Sequence, residues 1–153
     1  MNHKPIKRYT DLQPLSREHH HGLQLCWKIR TGLKKDIEIY RIRNYVVWFY
    51  EHLLLPHFEI EERYIFPILG NDHDLIKKAL LEHREIKRLV QLETELHKNL
   101  NTLAEILDSH IRFEERILFN EIQAVATDEQ LQQIQFYHSD TKFADNLTDA
   151  FWE

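Results

Sequence analysis

The sequence predicts an all-α protein: an antiparallel up-down-up-down four-helix bundle with a short C-terminal helix and tail. Three observations predict it. Only 3 Gly and 4 Pro punctuate 153 residues, so turns are scarce, while Leu, Ile, Glu, Lys and Gln supply abundant helix formers. Apolar residues recur at spacings of three and four through four long stretches. The links between those stretches are short and polar, which makes consecutive helices antiparallel neighbours. A chain of this length is one domain, able to bury roughly two-thirds of its unfolded surface. The expected core spans about 12–126, with an extension over 127–153.

Residues 1–15 read as an irregular arm restricted by Pro5 and Pro14, with Leu12 and Leu15 available to pack on the body. Ser16 is the expected N-cap of a first helix running to about 33, with Leu23, Cys26, Trp27 and Ile29 as its apolar face. A second helix, about 37–69, carries Ile39, Ile42, Val46, Phe49, Leu53, His57, Ile60, Glu61 and Tyr64 on one stripe. Pro56 interrupts it and removes one hydrogen bond, so a kink is expected just before His57 rather than a break into two helices. Asn71 reads as the cap of a third helix, about 72–98, with Ile76, Leu80, His83, Ile86, Val90 and Leu96 facing inward. The fourth is expected from Asn101 or Thr102, with Glu105 completing a capping box, to about 126. Its stripe is Leu103, Ile106, Leu107, His110, Phe113, Glu114 and Ile117. Thr127 and Gln130 form a second capping box for a short fifth helix to about 137, and Phe143, Leu147, Phe151 and Trp152 are the expected anchors of the tail.

One stretch, HFEIEERYIFP at 57–67, returns in near-copy as HIRFEERILF at 110–119. Each copy places a His four residues before a Glu, and residues i and i+4 stand one above the other on a helix face. A single such pair is an ordinary feature of a solvated helix. Two copies in the same apolar frame are the geometry of paired metal half-sites. Counting residues from the expected turns, at about 1.5 Å per residue, puts His83 level with both copies, whereas the first helix fits less well. Spacing to apolar neighbours favours His19 or His20 there over His21, and His20 is selected because Leu23 follows it by three as Ile86 follows His83.

The candidate metal ligands are therefore His20, His57, Glu61, His83, His110 and Glu114. Burying them without a metal would strip two carboxylates of water with imidazolium as the only compensation. Two carboxylates suit the bridging of two cations, and nitrogen with oxygen but no thiolate suits iron or manganese, with zinc compatible. Glu62, Glu115, Arg63 and Arg116 directly follow the candidate ligands, placed either to support them or to lie exposed on the surface.

The residues EHHHGL at 18–23, the two HxxxEE copies and EHREI at 82–86 resemble the hemerythrin-like, or HHE cation-binding, family over about 12–126. That resemblance implies a four-helix bundle holding a non-haem di-iron centre, two Fe2+/Fe3+ ions with an oxo or hydroxo bridge, Glu61 and Glu114 bridging, and the four histidines as terminal ligands. The chain departs from oxygen-carrying members at two places. They are similar in using two histidines a turn apart on the third helix, where this chain has Lys87 four after His83, and an Asp five after the last His, where it has Glu114 at four. A ligand position is thereby left open, which favours binding or reaction of dioxygen, nitric oxide or peroxide over respiratory oxygen carriage. The expected function is a di-iron protein that binds or senses a diatomic gas or handles iron. A di-iron oxidase, a peroxidase-like or iron–sulfur repair enzyme is the alternative, and a structural metal-binding bundle the second.

The other features exclude more than they suggest. Net charge is −5 with Lys and Arg scattered, which argues against nucleic acid as a partner. The basic start, 1–8, leads into no apolar run, and no stretch approaches the ~20 apolar residues of a membrane span. Cys26 is the only cysteine, so an intrachain disulfide is excluded and a cytoplasmic location is expected; Cys26 itself reads as a small buried hydrophobe. The chain contains no Gly-rich phosphate loop or nucleophile elbow. His52 lies five residues from His57 and so off its face, His73, His97 and His138 have no matching carboxylate at ligand spacing, and the aromatic residues, Trp27 included, read mostly as core.

Overall fold

A computed structural model of the protein describes residues 7–138 and 142–153. A short 3-10 turn, Thr10–Leu12, leads into α1, Gln13–Lys34. The second rod is composite: α2, Ile39–Phe49, passes through a π turn, Tyr50–Leu54, into α3, Leu55–Ile60, then a second π turn, Glu61–Ile65, and a 3-10 turn, Phe66–Ile68. α4, Asp74–Gln91, and α5, Leu96–Phe113, follow. A third π turn, Glu114–Leu118, carries α5 into α6, Phe119–Val125, and α7, Asp128–Tyr137, closes the helical part. α1 packs on α2 and α5, and α4 packs on α2 and α5, so each rod touches its neighbours around a four-sided, up-down-up-down bundle.

Pro14 occupies the first turn of α1, where its missing N–H is no loss. The helix thus begins before Ser16, whose hydroxyl instead donates to the Glu115 carboxylate at 2.9 Å. Pro56 likewise falls in the first turn of α3. The expected kink takes the form of the π turn just upstream, where the Leu55 N–H donates to the Tyr50 carbonyl five residues back, and the rod continues unbroken. His73, not Asn71, caps α4: its Nδ1 accepts from the Leu75 N–H at 3.1 Å. The α4–α5 turn lies at 92–95 with Glu95 left-handed at φ 48°, earlier than expected near 98–101. Thr102 is therefore inside α5, its hydroxyl donating to the Lys98 carbonyl at 3.0 Å, and cannot serve as an N-cap. The level comparison around that turn started from the wrong place, although His83 and His110 do meet, their rings 4.9 Å apart. Thr127 and Gln130 form the expected capping box.

The apolar core is in two parts. One contains Leu25, Ile29, Ile42, Phe49, Leu53, Ile86, Leu103 and Leu107; the other contains Leu12, Leu15, Ile65, Phe66, Ile76, Phe113, Leu118, Phe119, Ile122 and Ile134. Along every rod the candidate ligands fall between the two. The tail closes the first cluster through Phe151, which is 1% exposed. Its ring lies where a Cβ on Gly32 would come within 2.7 Å, so a glycine near the end of α1 is what admits it. Lys28 reinforces the closure, donating to Tyr45 Oη at 2.9 Å and to Asp145 at 2.5 Å, with its ammonium 3.9 Å from the Trp152 ring centroid. Leu147 is 66% exposed and anchors nothing, and Trp27 is 57% exposed rather than core. Among the described residues no helix is long and apolar enough to cross a membrane.

Removing the buried Phe151 ring leaves a cavity between α1 and α2. Phe151→Ala is expected to cost about 3–5 kcal/mol, read as a lower urea midpoint with an unchanged slope.

Candidate metal centre

On α1 the buried face runs through Leu15, His19, Gly22 and Cys26, while His20 is exposed, with Gln24 at 3.4 Å and the His21 ring 6.1 Å away. The position expected for His20 is held by His19. Adjacent helical residues point about 100° apart, and Leu23, the neighbour that marked the face of His20, is only half-buried. Gly22 sets the rotation: a Cβ there would sit 2.6 Å from Ile111 Cδ1, so α1 and α5 approach closely beside His19 and His110.

His57, Glu61, His83, His110 and Glu114 all reach the same place, and all six side chains are at most 4% exposed, both carboxylates 0%. His57 Nε2 lies 3.3 Å and His83 Nε2 3.2 Å from Glu61 Oε1. His110 Nε2 and His19 Nε2 lie 3.0 and 3.1 Å from Glu114 Oε1, and His19 Nε2 is 3.8 Å from Glu61 Oε2. The donor atoms form two groups, His19, His57, Glu61 and Glu114, and Glu61, His83, His110 and Glu114, each with its atoms within 4.8 Å of one another. Glu61 and Glu114 belong to both groups.

The outer nitrogens explain which way the rings face. Each Nδ1 meets a carboxylate: His57 with Glu18 at 2.9 Å, His83 with Glu62 at 2.9 Å, His110 with Glu82 at 2.8 Å and His19 with Glu115 at 2.8 Å. A neutral imidazole carries one proton, and these carboxylates take it at Nδ1, which leaves every Nε2 lone pair directed inward. His19 Nε2 and His57 Nε2 then confront each other at 3.0 Å, two lone pairs that repel unless a proton or a cation lies between them. Both Glu61 oxygens, Glu114 Oε2, His83 Nε2 and His110 Nε2 are buried with no partner in hydrogen-bond geometry. Orphaned carboxylate and imidazole atoms aimed at one point fit a cation, or two sharing the carboxylates.

Without metal the cluster holds protons instead. Burial opposes charge on His57, but Glu61 and Glu18 overcome it and hold its pKa up at about 9; burial likewise opposes charge on His110, where Glu114 and Glu82 raise it to about 9. Burial would raise Glu18, yet hydrogen bonds from His138 and His57 bring it down to about 2. Glu61 is held well below the usual carboxylate range by surrounding imidazoles despite its burial. Burial, with Asp108 nearby, pushes the Cys26 thiol up to about 12, so it stays a neutral core residue.

The hemerythrin HHE cation binding domain matches residues 10–122. The chain belongs to that family. No curated protein and no solved structure matches it. Family membership carries a metal cation as cofactor, and the two His/Glu groups of this HHE domain fit one.

Three supporting residues escaped the sequence reading. Glu18 and Glu82 directly precede His19 and His83, an EH pair on each odd-numbered rod that stands opposite the EE pairs of the motifs, and that symmetry was the available signal. His138, the residue just past α7, donates to Glu18 at 2.8 Å; nothing in its local sequence marks it. Glu62 and Glu115 do support the histidines, whereas Arg63 and Arg116 are exposed.

The shifts of His57 and His110 set a pH test. Their folded values near 9 exceed the unfolded value of about 6.5, so the stability they add to metal-free protein is complete below about 6.5 and is lost as pH rises through 9. Calorimetry of metal-free protein should show Tm falling over this window, by about 2–4 °C per kcal/mol at this chain length. Metal-loaded protein, with its imidazoles already neutral, should lack that decline; parallel curves would contradict the assignment.

Proposed function

We propose that this HHE domain holds two iron ions and uses them to bind or sense dioxygen or nitric oxide. The observation that carries the reading is the pair of two-imidazole groups with Glu61 and Glu114 common to both. His19 and His57 would hold one ion and His83 and His110 the other, with Glu61 and Glu114 available to both. Nitrogen and oxygen donors without thiolate favour iron over a purely structural zinc site. Iron bound there would supply reversible electron transfer and a place for a diatomic ligand.

The chain's own residues do the rest. Glu18, Glu62, Glu82 and Glu115 fix the tautomer and the aim of each ring. Phe58 stacks on His83 at 3.8 Å with planes 16° apart, and Phe119 stacks on His19 at 5.2 Å. These rings keep water from the imidazoles and lower the local dielectric, which favours a small apolar gas over bulk anions. A cytoplasmic setting suits loading with ferrous iron.

Anaerobic loading with ferrous iron should give two ions per chain by elemental analysis, and nitric oxide or oxygen should then produce nitrosyl or oxo-bridge absorption. Full zinc occupancy in protein purified without added metal, or no absorption change on gas exposure, would overturn the reading. His19→Ala is expected to lower iron content by at least half, and His20→Ala to leave it unchanged; the reverse result would restore His20 as the ligand.

A further inference from the structure

Two phenylalanines cover the metal centre, and they differ in what lies around them. Phe119, stacked on His19, is fully buried, with the Arg8 guanidinium packed over its ring at 5.4 Å. Phe58 covers the other end: its ring centroid lies 3.8 Å from that of His83, 5.9 Å from His110 and 6.1 Å from His57. Phe58 borders open space. A cleft of about 620 Å³ runs between the second rod and α4, and Phe58, Glu62, His83 and Lys87 are in its wall.

Two independent observations bear on what passes there. His83 Nε2 and His110 Nε2 are buried without a hydrogen-bond partner, so the ring that borders the cleft also packs on two imidazoles whose inner nitrogens lack one. A buried polar atom without a partner is uncommon in a folded protein and points to a ligand. The helix that carries Phe58, α3, is only 6 residues long and is entered and left through the π turns Tyr50–Leu54 and Glu61–Ile65. Such irregularities gather at functional sites. A swing of this one ring joins the cleft to the centre with no rod moving, whereas a swing of Phe119 runs into buried packing.

We propose that small ligands reach the metal centre from this cleft, at its His83 and His110 end, and that the Phe58 ring is the gate they pass. This rests on the reading of a gas-binding metal centre, and the two are tested apart by using a metal that does not react with gas.

Zinc-loaded protein is mixed with increasing pyridine-2,6-dicarboxylate, and zinc release is followed. A chelator that enters the site gives a rate that rises with its concentration; spontaneous release does not. Opening takes the ring off its rotamer and off its stack on His83, a cost that leucine does not carry, so Phe58→Leu should raise the slope about tenfold. Phe119→Leu, the matched loss of a ring at the other end, should leave it unchanged. Lys87 is exposed at the cleft, and the buried Cys26 is the only native thiol. Lys87→Cys labelled with a pyrene maleimide should therefore plug the cleft and abolish the slope, in the parent and with Phe58→Leu alike. The same label on Lys77→Cys, exposed on α4 away from the cleft, should not. A slope that survives the plug, an equal rise with Phe119→Leu, or no chelator dependence even with Phe58→Leu would overturn the gate. Nitric oxide association with the ferrous protein should follow the same order. Absence of nitric oxide binding beside the expected zinc result sinks the gas reading alone, and nitric oxide binding that ignores both plug and ring sinks the gate alone.

Discussion

Two carboxylates with no exposure at all, Glu61 and Glu114, govern how this bundle can be built. A buried, unpaired carboxylate costs several kcal/mol, so whatever surrounds these two must offer positive charge or its equivalent. The bundle answers with four imidazoles, one from each rod, and the fold is arranged to deliver them. Apolar residues that would otherwise run unbroken along each helix are split into two clusters, and the polar layer lies between them. The clusters hold the rods at a fixed separation above and below the layer. The layer in turn cannot relax by admitting water, because Phe58, Phe66 and Phe119 cover the rings of His83 and His19.

Around this layer runs an outer set of contacts. Glu18 on α1 holds His57 on the second rod, Glu62 there holds His83 on α4, Glu82 on α4 holds His110 on α5, and Glu115, just past α5, returns to His19 on α1. The circuit closes, with one carboxylate leaving each rod and one arriving. These partners are themselves tied to the surface, Glu82 by Lys78 at 2.7 Å, Glu115 by Arg8 at 3.9 Å and Glu18 by His138. The orientation of the rings at the centre therefore depends on residues from the entering arm to α7.

What could be read directly from the sequence was what is local. The two HxxxE pairs are fixed by one helical turn, and Thr127 with Gln130 by a single capping geometry, so both stand in the structure as expected. The choice between His19 and His20 is not local: it turns on a rotation of α1 that depends on Gly22 meeting Ile111 across the bundle. The α4–α5 turn was misplaced because Thr102 and Glu105 have the composition of a capping box while Thr102 makes an interior bond to Lys98. The π turns that begin at Glu61 and Glu114 have no local signature, since the extra residue is accommodated by packing. The outer carboxylates were only half visible. Glu62 and Glu115 stood out by adjacency, whereas Glu18 and Glu82 act across helices and depend on the register of rods that the sequence sets only coarsely.

The closed circuit of carboxylates has a topological consequence. An up-down-up-down bundle can turn either way around its axis, and two oily clusters of similar residues hardly distinguish the left-turning form from the right-turning one. A directed circuit does. Each glutamate projects to one particular side of its rod, towards the neighbour whose histidine it holds. In the opposite-handed arrangement all four would point at the wrong neighbour, leaving four imidazoles unsupported together. The polar layer that the core must accommodate is thus also the feature that gives the bundle its hand.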